Sequence, residues 1–221
     1  MPSLRLANCR LYGFVDTAYL AGRDPGEVTR QLIAGGVDIV QVRAKELSHE
    51  QRVALARTVI SCAYPARVPV IINDDIEAAV AVGADGVHLG QEDWAALPET
   101  ARRALRDRVP LYGLSTHSFD EARRAEQAGA SYIGVGPVFP TATKPGRPGV
   151  GLGLVTAVAR AVTIPFFAIG GINLHNLPTV LAAGATRVAV VSAILCASDI
   201  TAAARAFRDH LNFPSQGGSK P

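Results

Sequence analysis

The sequence predicts an α/β fold, a single-domain (β/α)8 TIM barrel over residues 1–213. Short apolar runs alternate with amphipathic segments, which is the pattern of parallel β/α units. Glycine-containing turns at 34–38, 82–85, 128–131 and 183–186 each separate a helical segment from a strand. They recur at roughly 50 residues, the length of two β/α units. Four such double units make eight strands, and a chain of 221 residues, 48% of them hydrophobic, suits a barrel near its minimum length.

Each element follows from its local pattern. Asp24 precedes Pro25 and marks the start of the first helix. Ser48 and Gln51 have the spacing of a capping box, and Asp199 can cap the last helix. The predicted strands are 11–15, 37–42, 68–72, 86–89, 111–114, 132–135, 165–169 and 187–191. The predicted helices are 23–34, 48–63, 76–82, 97–108, 118–128, 152–161, 174–183 and 199–211.

An open doubly wound sheet is the alternative architecture. It is the weaker prediction because no Gly-rich nucleotide fingerprint follows the first strand. Residues 214–221 are polar and rich in Gly and Ser, which predicts a disordered tail.

Composition excludes several classes of function. A net charge of +3, without a basic run interleaved with aromatics, gives no support for nucleic-acid binding. The three cysteines, Cys9, Cys62 and Cys196, have neither metal-ligand spacing nor a disulfide framework. No signal-peptide core and no apolar run of about 18 residues is visible, so we expect no membrane partner and a cytoplasmic protein. A homo-oligomer is compatible with the sequence.

The residues after predicted strands three and four carry the central expectation. Asp74 and Asp75 follow the third strand, and Asp93 follows the fourth. Because neighbouring parallel strands end at the same edge, we expect Asp74 and Asp93 to lie side by side. Two carboxylates suit Mg²⁺, which takes one or two of them and completes its shell with water and substrate phosphate. The alternative is that Asp74 or Asp75, and likewise Asp93, caps a helix.

The segment after the second strand predicts an anion site. Gln41, Arg43 and Lys45 alternate along an extended stretch, so their side chains point the same way. Two cations and an amide donor on one side can clamp an anion. A solvated basic edge is the alternative.

The remaining strand ends add small and hydroxyl residues. Ser115 follows strand five, and the loop 136–149 after strand six holds Thr141, Thr143 and Lys144. That loop suits a lid over a phosphorylated ligand, with an ordinary surface loop as the alternative. Neither His88 nor His117 needs a catalytic role, and His88 is expected to be a packed or hydrogen-bonded barrel residue.

Strands seven and eight predict a second anion site. Gly170-Gly171 and Val191-Ser192 follow them, where this fold often binds phosphate through backbone N–H groups. One pocket then holds a diphosphate beside Mg²⁺ and a monophosphate on backbone groups. A reaction that expels pyrophosphate while a second phosphorylated molecule attacks would use both.

At these residues the sequence resembles the thiamine-phosphate synthase family. The resemblance runs nearly the whole chain and implies a (β/α)8 barrel. It also implies that 4-amino-5-hydroxymethyl-2-methylpyrimidine diphosphate joins thiazole phosphate, giving thiamine phosphate and pyrophosphate. In that reaction pyrophosphate leaves first, and the thiazole nitrogen traps the pyrimidine cation. The matching segments are QVRAK at 41–45, ND at 73–74, ADGVHLGQED at 84–93, STH at 115–117, GPVFPTATK at 136–144, AIGGI at 168–172 and VSAI at 191–194.

The resemblance also implies roles for individual residues. Asp74 and Asp93 would hold Mg²⁺. The residues implied for the pyrimidine diphosphate are Gln41, Val42, Arg43, Ala44, Lys45, Asn73, Ser115 and Lys144, of which Arg43, Lys45, Ser115 and Lys144 are the predicted catalytic residues. Those implied for the thiazole phosphate are Thr141, Ala142, Thr143, one of Gly170 and Gly171, Val191 and Ser192.

Three positions depart from the family's usual residues. Ala44 stands where many relatives carry Asp, and it should point away from the pocket. Trp94 is bulkier than the usual residue after the second metal-site carboxylate. Pro145 follows Lys144 in the lid where many members have Asp, and Arg147 is expected to add a phosphate contact.

Two other functions compete. A thiazole tautomerase on a similar barrel tends to lose the equivalent of Asp93 and part of the Phe-Pro-Thr-x-Thr-Lys run, both of which this chain keeps. A non-catalytic precursor-binding protein would need no groups for expelling pyrophosphate, so Asp74, Asp93 and Lys144 argue against it.

Overall fold

Eight parallel strands close into a barrel in which each strand pairs with the next and β8 pairs with β1. The computed structural model describes residues 6–141 and 148–212. The strands are β1 (Leu11–Asp16), β2 (Ile39–Arg43), β3 (Val70–Asn73), β4 (Gly86–Leu89), β5 (Leu111–Thr116), β6 (Tyr132–Val135), β7 (Phe166–Ile169) and β8 (Val188–Ala189). The (β/α)8 prediction is confirmed, because the pairing of β1 with β8 excludes an open sheet.

Helices surround the barrel, and each of the eight predicted helices is present. The helices are α1 (Thr17–Leu20), α2 (Pro25–Ala34), α3 (His49–Ala63), α4 (Ile76–Val82), α5 (Gln91–Ala96), α6 (Glu99–Arg108), α7 (Phe119–Gln127), α8 (Gly151–Ala161), α9 (Leu177–Ala182), α10 (Ser192–Leu195) and α11 (Ile200–Asn212), with 3-10 turns at Leu6–Asn8 and Tyr64–Ala66. The sequence did not predict α1, α5 or α10. They have only four to six residues, which is too short for a helical period to be visible.

The predicted caps form as hydrogen bonds. Asp24 accepts from the N–H of Glu27 at 2.8 Å, and Ser48 and Gln51 make both bonds of the capping box. Four strands, β2, β3, β7 and β8, are shorter than predicted, and a local reason is visible for the first and the last. Residue Val37 still donates to a carbonyl of α2, and Val191 leaves the extended region with φ −105° and ψ −86°.

Aromatic side chains fill the inside of the barrel below the carboxyl ends of the strands. The ring of Tyr12 stacks on Phe14 and meets Phe167 edge-on, and Tyr132 also meets Phe167 edge-on. A Cβ at Gly113 would lie 2.2 Å from the Tyr132 ring, so glycine is required there. The outer faces of the strands carry Val, Ile and Leu against the helices. This packing gives the barrel a solid floor on which a site can be built.

The predicted disordered tail, 214–221, lies outside the described residues. Among the helices in the described part of the chain, none combines the length and apolarity needed to cross a membrane.

Candidate active site

A cavity opens at the carboxyl ends of the strands, and most of the predicted site residues line it. Lys45, Asp74 and Asp93 do not line it; the first two closely follow the lining strand ends in the chain. Val42 and Ala44 do not line it either, because successive strand residues point to opposite faces; both side chains are buried. For Ala44 this orientation was expected. Ala142, Thr143, Lys144 and Arg147 lie outside the described residues. The predicted residues that line the cavity are Gln41, Arg43, Asn73, Ser115, Thr141, Gly170, Gly171, Val191 and Ser192.

Arg43 is held over the cavity by a buried acidic residue. Its guanidinium Nη1 lies 2.8 Å from Oδ2 of Asp16, and the two are direct neighbours in the β1–β2 register. The Asp16 side chain is 1% exposed and also accepts from the N–H of Ala18 at 3.1 Å. Sequence reasoning missed this role, although Asp16 stands at the end of β1 like the other site residues at their strand ends.

Asp74 and Asp93 lie side by side at the rim of the cavity. Burial raises the pKa of the Asp93 carboxyl, and the adjacent Asp74 carboxylate raises that pKa further. Lys45 places its Nζ 3.5 Å from Oδ2 of Asp74, and the Asn73 amide donates to the same oxygen at 2.5 Å. Two carboxylates therefore repel one another beside an ammonium group, which is an arrangement that a divalent cation would stabilise.

The helix-capping alternative applies to Asp75 and not to Asp74. Asp75 accepts from the N–H of Ala78 at 2.8 Å and caps α4. It is also bound by Arg52 and His49. Asp74 has a left-handed φ of 63°, a conformation that costs energy for a residue other than glycine. Its carboxylate lies beside that of Asp93.

Asp93 lies in the first turn of α5 and accepts a hydrogen bond there, although Gly90 and not Asp93 occupies the N-cap position. Asp93 is the third residue of α5, and the N–H of Gly90, which precedes the helix, donates to its carboxylate. The ring of Trp94 stacks on Tyr112 with centroids 5.7 Å apart, and the guanidinium of Arg102 lies 5.2 Å from the Trp94 centroid on the ring face. The unusual Trp94 therefore anchors the helix that carries Asp93.

Replacing Asp93 by asparagine is expected to raise the melting temperature in the absence of divalent cations at pH 7.5. A carboxyl whose pKa is higher in the folded chain than in the unfolded chain takes up protons on folding. Stability therefore falls as the pH rises through the interval between the two pKa values, and the wild type carries the full penalty at neutral pH. Asparagine removes this repulsion and still accepts from Gly90.

The measurement is thermal unfolding in EDTA from pH 3 to pH 8. The advantage of Asp93→Asn should shrink toward acid, where the wild-type carboxyl is protonated. Glu92→Gln, one residue earlier on α5, is the matched control. An Asp93→Asn variant that is destabilised equally at every pH would contradict the repulsion.

Polar side chains cross the floor of the cavity in one connected series, which we call the polar chain. Its members are Gln41, Tyr12, Tyr132, His88 and Ser115. The expectation that His88 is a hydrogen-bonded barrel residue is confirmed: its ring nitrogens lie 3.2 Å from the Tyr132 hydroxyl and 3.0 Å from the Ser115 hydroxyl. Sequence reasoning missed Tyr12 and Tyr132, because inward aromatics in strands are also typical of plain core.

The two glycines after β7 line the cavity and also allow close packing. Gly170 and Gly171 have φ of 100° and 65°. A Cβ on Gly170 would lie 2.4 Å from Pro137, and one on Gly171 would lie 2.8 Å from Phe139. Both positions therefore require glycine so that the segment after β6 can pack against them, whichever of the two glycines contacts a ligand.

The donor set fits Mg²⁺ better than a transition metal. Within 6–141 and 148–212, no three His, Cys, Asp or Glu side chains are grouped to enclose an ion. A pair of partly exposed carboxylates beside the cavity leaves positions for water and phosphate oxygens, which Mg²⁺ requires. The residues present are therefore compatible with that ion.

Comparisons with known proteins agree on one family. The family profile described as "Thiamine monophosphate synthase" matches residues 11–194. The chain is 43% identical over 203 residues to the thiamine-phosphate synthase of Methanospirillum hungatei, covering 91% of this chain and 97% of that one. It is 47% identical over 184 residues to that of Thermus thermophilus, covering 83% and 87%. The solved thiamine phosphate pyrophosphorylase from Pyrococcus furiosus has a TM-score of 0.82 and 31% identity, covering 92% and 95%.

Proposed function

The chain belongs to the thiamine monophosphate synthase family, and we propose that its cavity joins the pyrimidine diphosphate to thiazole phosphate, releasing pyrophosphate and thiamine phosphate. Family membership makes the protein a transferase of thiamine biosynthesis. The observation that carries the assignment of this site is the carboxylate pair Asp74 and Asp93 beside Lys45, at the mouth of the cavity that Arg43 lines.

The basic groups bind and stabilise the leaving diphosphate. Arg43 is oriented by Asp16 and presents its remaining donors to the cavity, and Lys45 adds a second positive charge at the rim. Asp74 and Asp93 would hold Mg²⁺, which supplies charge neutralisation to pyrophosphate as it departs. Breaking the carbon–oxygen bond leaves a resonance-stabilised pyrimidine methyl cation, so the enzyme needs no nucleophile of its own.

The second substrate binds on the opposite side of the cavity. Gly171, Val191 and Ser192 line that side, and the backbone groups around them suit the thiazole phosphate. From there the thiazole nitrogen attacks the pyrimidine cation and forms the new carbon–nitrogen bond. The aromatic floor of the barrel excludes water, which would otherwise trap the cation.

A pyrophosphate-release assay tests the assignment. Release should require the pyrimidine diphosphate, the thiazole phosphate and Mg²⁺ together, and thiamine phosphate should appear in equal amount. Isomerisation of a thiazole without metal and without coupling would contradict it and would favour a tautomerase.

Replacing Lys45 by alanine is expected to raise the KM for the pyrimidine diphosphate at least about tenfold while changing the KM for thiazole phosphate less than about twofold. A charge-assisted contact contributes about 1.5–3 kcal/mol, and Lys45 lies on the diphosphate side only. Steady-state kinetics with each substrate varied in turn provides the measurement. Arg57→Ala on the exposed face of α3 controls for loss of a positive charge. Equal losses for both substrates in Lys45→Ala would contradict the two-site assignment.

A further inference from the structure

The polar chain forms four consecutive hydrogen-bonding contacts across the barrel interior. The Gln41 amide Nε2 donates to the Tyr12 hydroxyl at 2.9 Å, and the hydroxyls of Tyr12 and Tyr132 are 3.0 Å apart. The Tyr132 hydroxyl lies 3.2 Å from Nδ1 of His88, and Nε2 of His88 lies 3.0 Å from the Ser115 hydroxyl. We propose that the polar chain runs in one direction, from Gln41 to Ser115, and makes Ser115 a hydrogen-bond donor to the pyrimidine diphosphate. This inference rests on the proposed function.

A count of protons sets the direction. An amide Nε2 can only donate, so Tyr12 must accept from Gln41. Among residues 6–141 and 148–212, two contacts then remain for the two phenol protons: the contact between the hydroxyls, and the contact with Nδ1 of His88. Both protons are used only if Tyr12 donates to Tyr132 and Tyr132 donates to His88.

The opposite arrangement leaves a buried proton without an acceptor. If Nδ1 of His88 carried a proton, three protons would compete for two contacts, and one phenol O–H would stay unbonded. Tyr12 and Tyr132 are 2% and 1% exposed, and a buried unpaired donor is costly. Burial also raises the pKa of both phenols above the ordinary range, so neither can lose its proton to relieve the conflict.

The direction fixes what Ser115 offers to a ligand. With Nδ1 accepting, neutral His88 carries its proton on Nε2 and donates to Ser115. The Ser115 hydroxyl then accepts from His88 and turns its own proton into the cavity, which both residues line. In the reversed chain Ser115 would donate to His88 and offer only lone pairs. Tyr12, Tyr132 and His88 are therefore positioning residues that act through Ser115.

Long-range proton–nitrogen NMR on the labelled, ligand-free chain tests the direction without any substrate. We expect a neutral His88 with its proton on Nε2. A proton on Nδ1 in the wild type would overturn the proposal, whatever the outcome of the pyrophosphate assay. The His88 signals are assigned by elimination, through single replacements of His49, His117, His175 and His210.

Two matched tyrosine variants distinguish the proposed donor direction of the polar chain from a general effect of losing a buried hydroxyl. Tyr132→Phe removes the donor to His88 and should yield a mixture of tautomers. Tyr112→Phe removes an equally buried hydroxyl that donates to the Ala128 carbonyl at 2.6 Å, outside the polar chain, and should leave the tautomer unchanged. An unchanged tautomer in both variants would contradict the proposed direction.

A double-mutant cycle tests the route through Ser115. We expect Tyr132→Phe to lower kcat/KM for the pyrimidine diphosphate about tenfold in the wild type, and less than about twofold when Ser115→Ala is already present. The KM for thiazole phosphate should not change. Full tenfold losses in both backgrounds would show that Tyr132 acts independently of Ser115 and would overturn the proposed role.

Discussion

Replacing Asp93 by alanine is expected to lower turnover at least about 100-fold at saturating substrates. Asp93 and Asp74 converge at the rim beside Lys45, and removing one of two carboxylates would weaken the cation that neutralises departing pyrophosphate. Loss of a single preorganised electrostatic group commonly costs about 10²–10³ in rate. Initial rates of pyrophosphate release at several Mg²⁺ concentrations provide the measurement.

The loss of turnover should not arise from unfolding, because removing one of two carboxylates that repel each other does not by that change destabilise the fold. Asp93→Asn, which keeps the hydrogen bond from Gly90, should unfold at no lower temperature than the wild type in EDTA, whereas its response to added Mg²⁺ should be reduced. Glu92→Ala removes an exposed carboxylate one residue earlier on α5 and should keep near-wild-type turnover. Near-wild-type turnover in Asp93→Ala would refute the metal role.

Replacing Arg43 by alanine is expected to destabilise the fold by about 3–5 kcal/mol and also to lower kcat/KM for the pyrimidine diphosphate at least about 100-fold. The loss of stability arises because the Asp16 side chain, 1% exposed, would be left buried without its ion-pair partner. The loss of activity arises because the cavity loses the guanidinium that Arg43 contributes to its lining. Denaturant unfolding and steady-state kinetics measure the two effects separately.

Two further arginine variants distinguish charge from geometry. Arg43→Lys keeps the charge beside Asp16 but not the planar fork, so it should recover more stability than activity. Arg30→Ala breaks an exposed pair with Glu27 on α2 and should change stability little. Arg43→Ala with wild-type stability would mean that Asp16 does not depend on this pair.

The order of strands and helices could be read from the sequence, because the strands are apolar runs and several helices begin with a capping side chain. Ser48 with Gln51, and Asp24 with Glu27, cap helices as predicted. The short helix α5 could not be read in the same way. Its six residues give no period, and their identity as a helix depends on Trp94 packing against Tyr112.

The site residues at the strand ends could also be predicted from local sequence. Side chains alternate between the two faces of a strand, and this alternation places Gln41 and Arg43 on the inner face. What the sequence could not provide is pairing across the barrel. The contact between Tyr12 and Tyr132 joins residues 120 positions apart, and only the closed barrel brings them together. Asp75 caps α4 whereas Asp74 does not, and the left-handed φ at Asp74 that accompanies this difference cannot be predicted from any sequence pattern.

The most direct measurement is a crystal of this protein soaked with Mn²⁺ and inorganic pyrophosphate, recorded at a wavelength where manganese scatters anomalously. We expect one strong anomalous peak bound by both Asp74 and Asp93 and by pyrophosphate oxygens near Arg43 and Lys45. A peak bound by neither carboxylate, or pyrophosphate bound at this rim with no metal beside it, would contradict the metal role of the carboxylate pair.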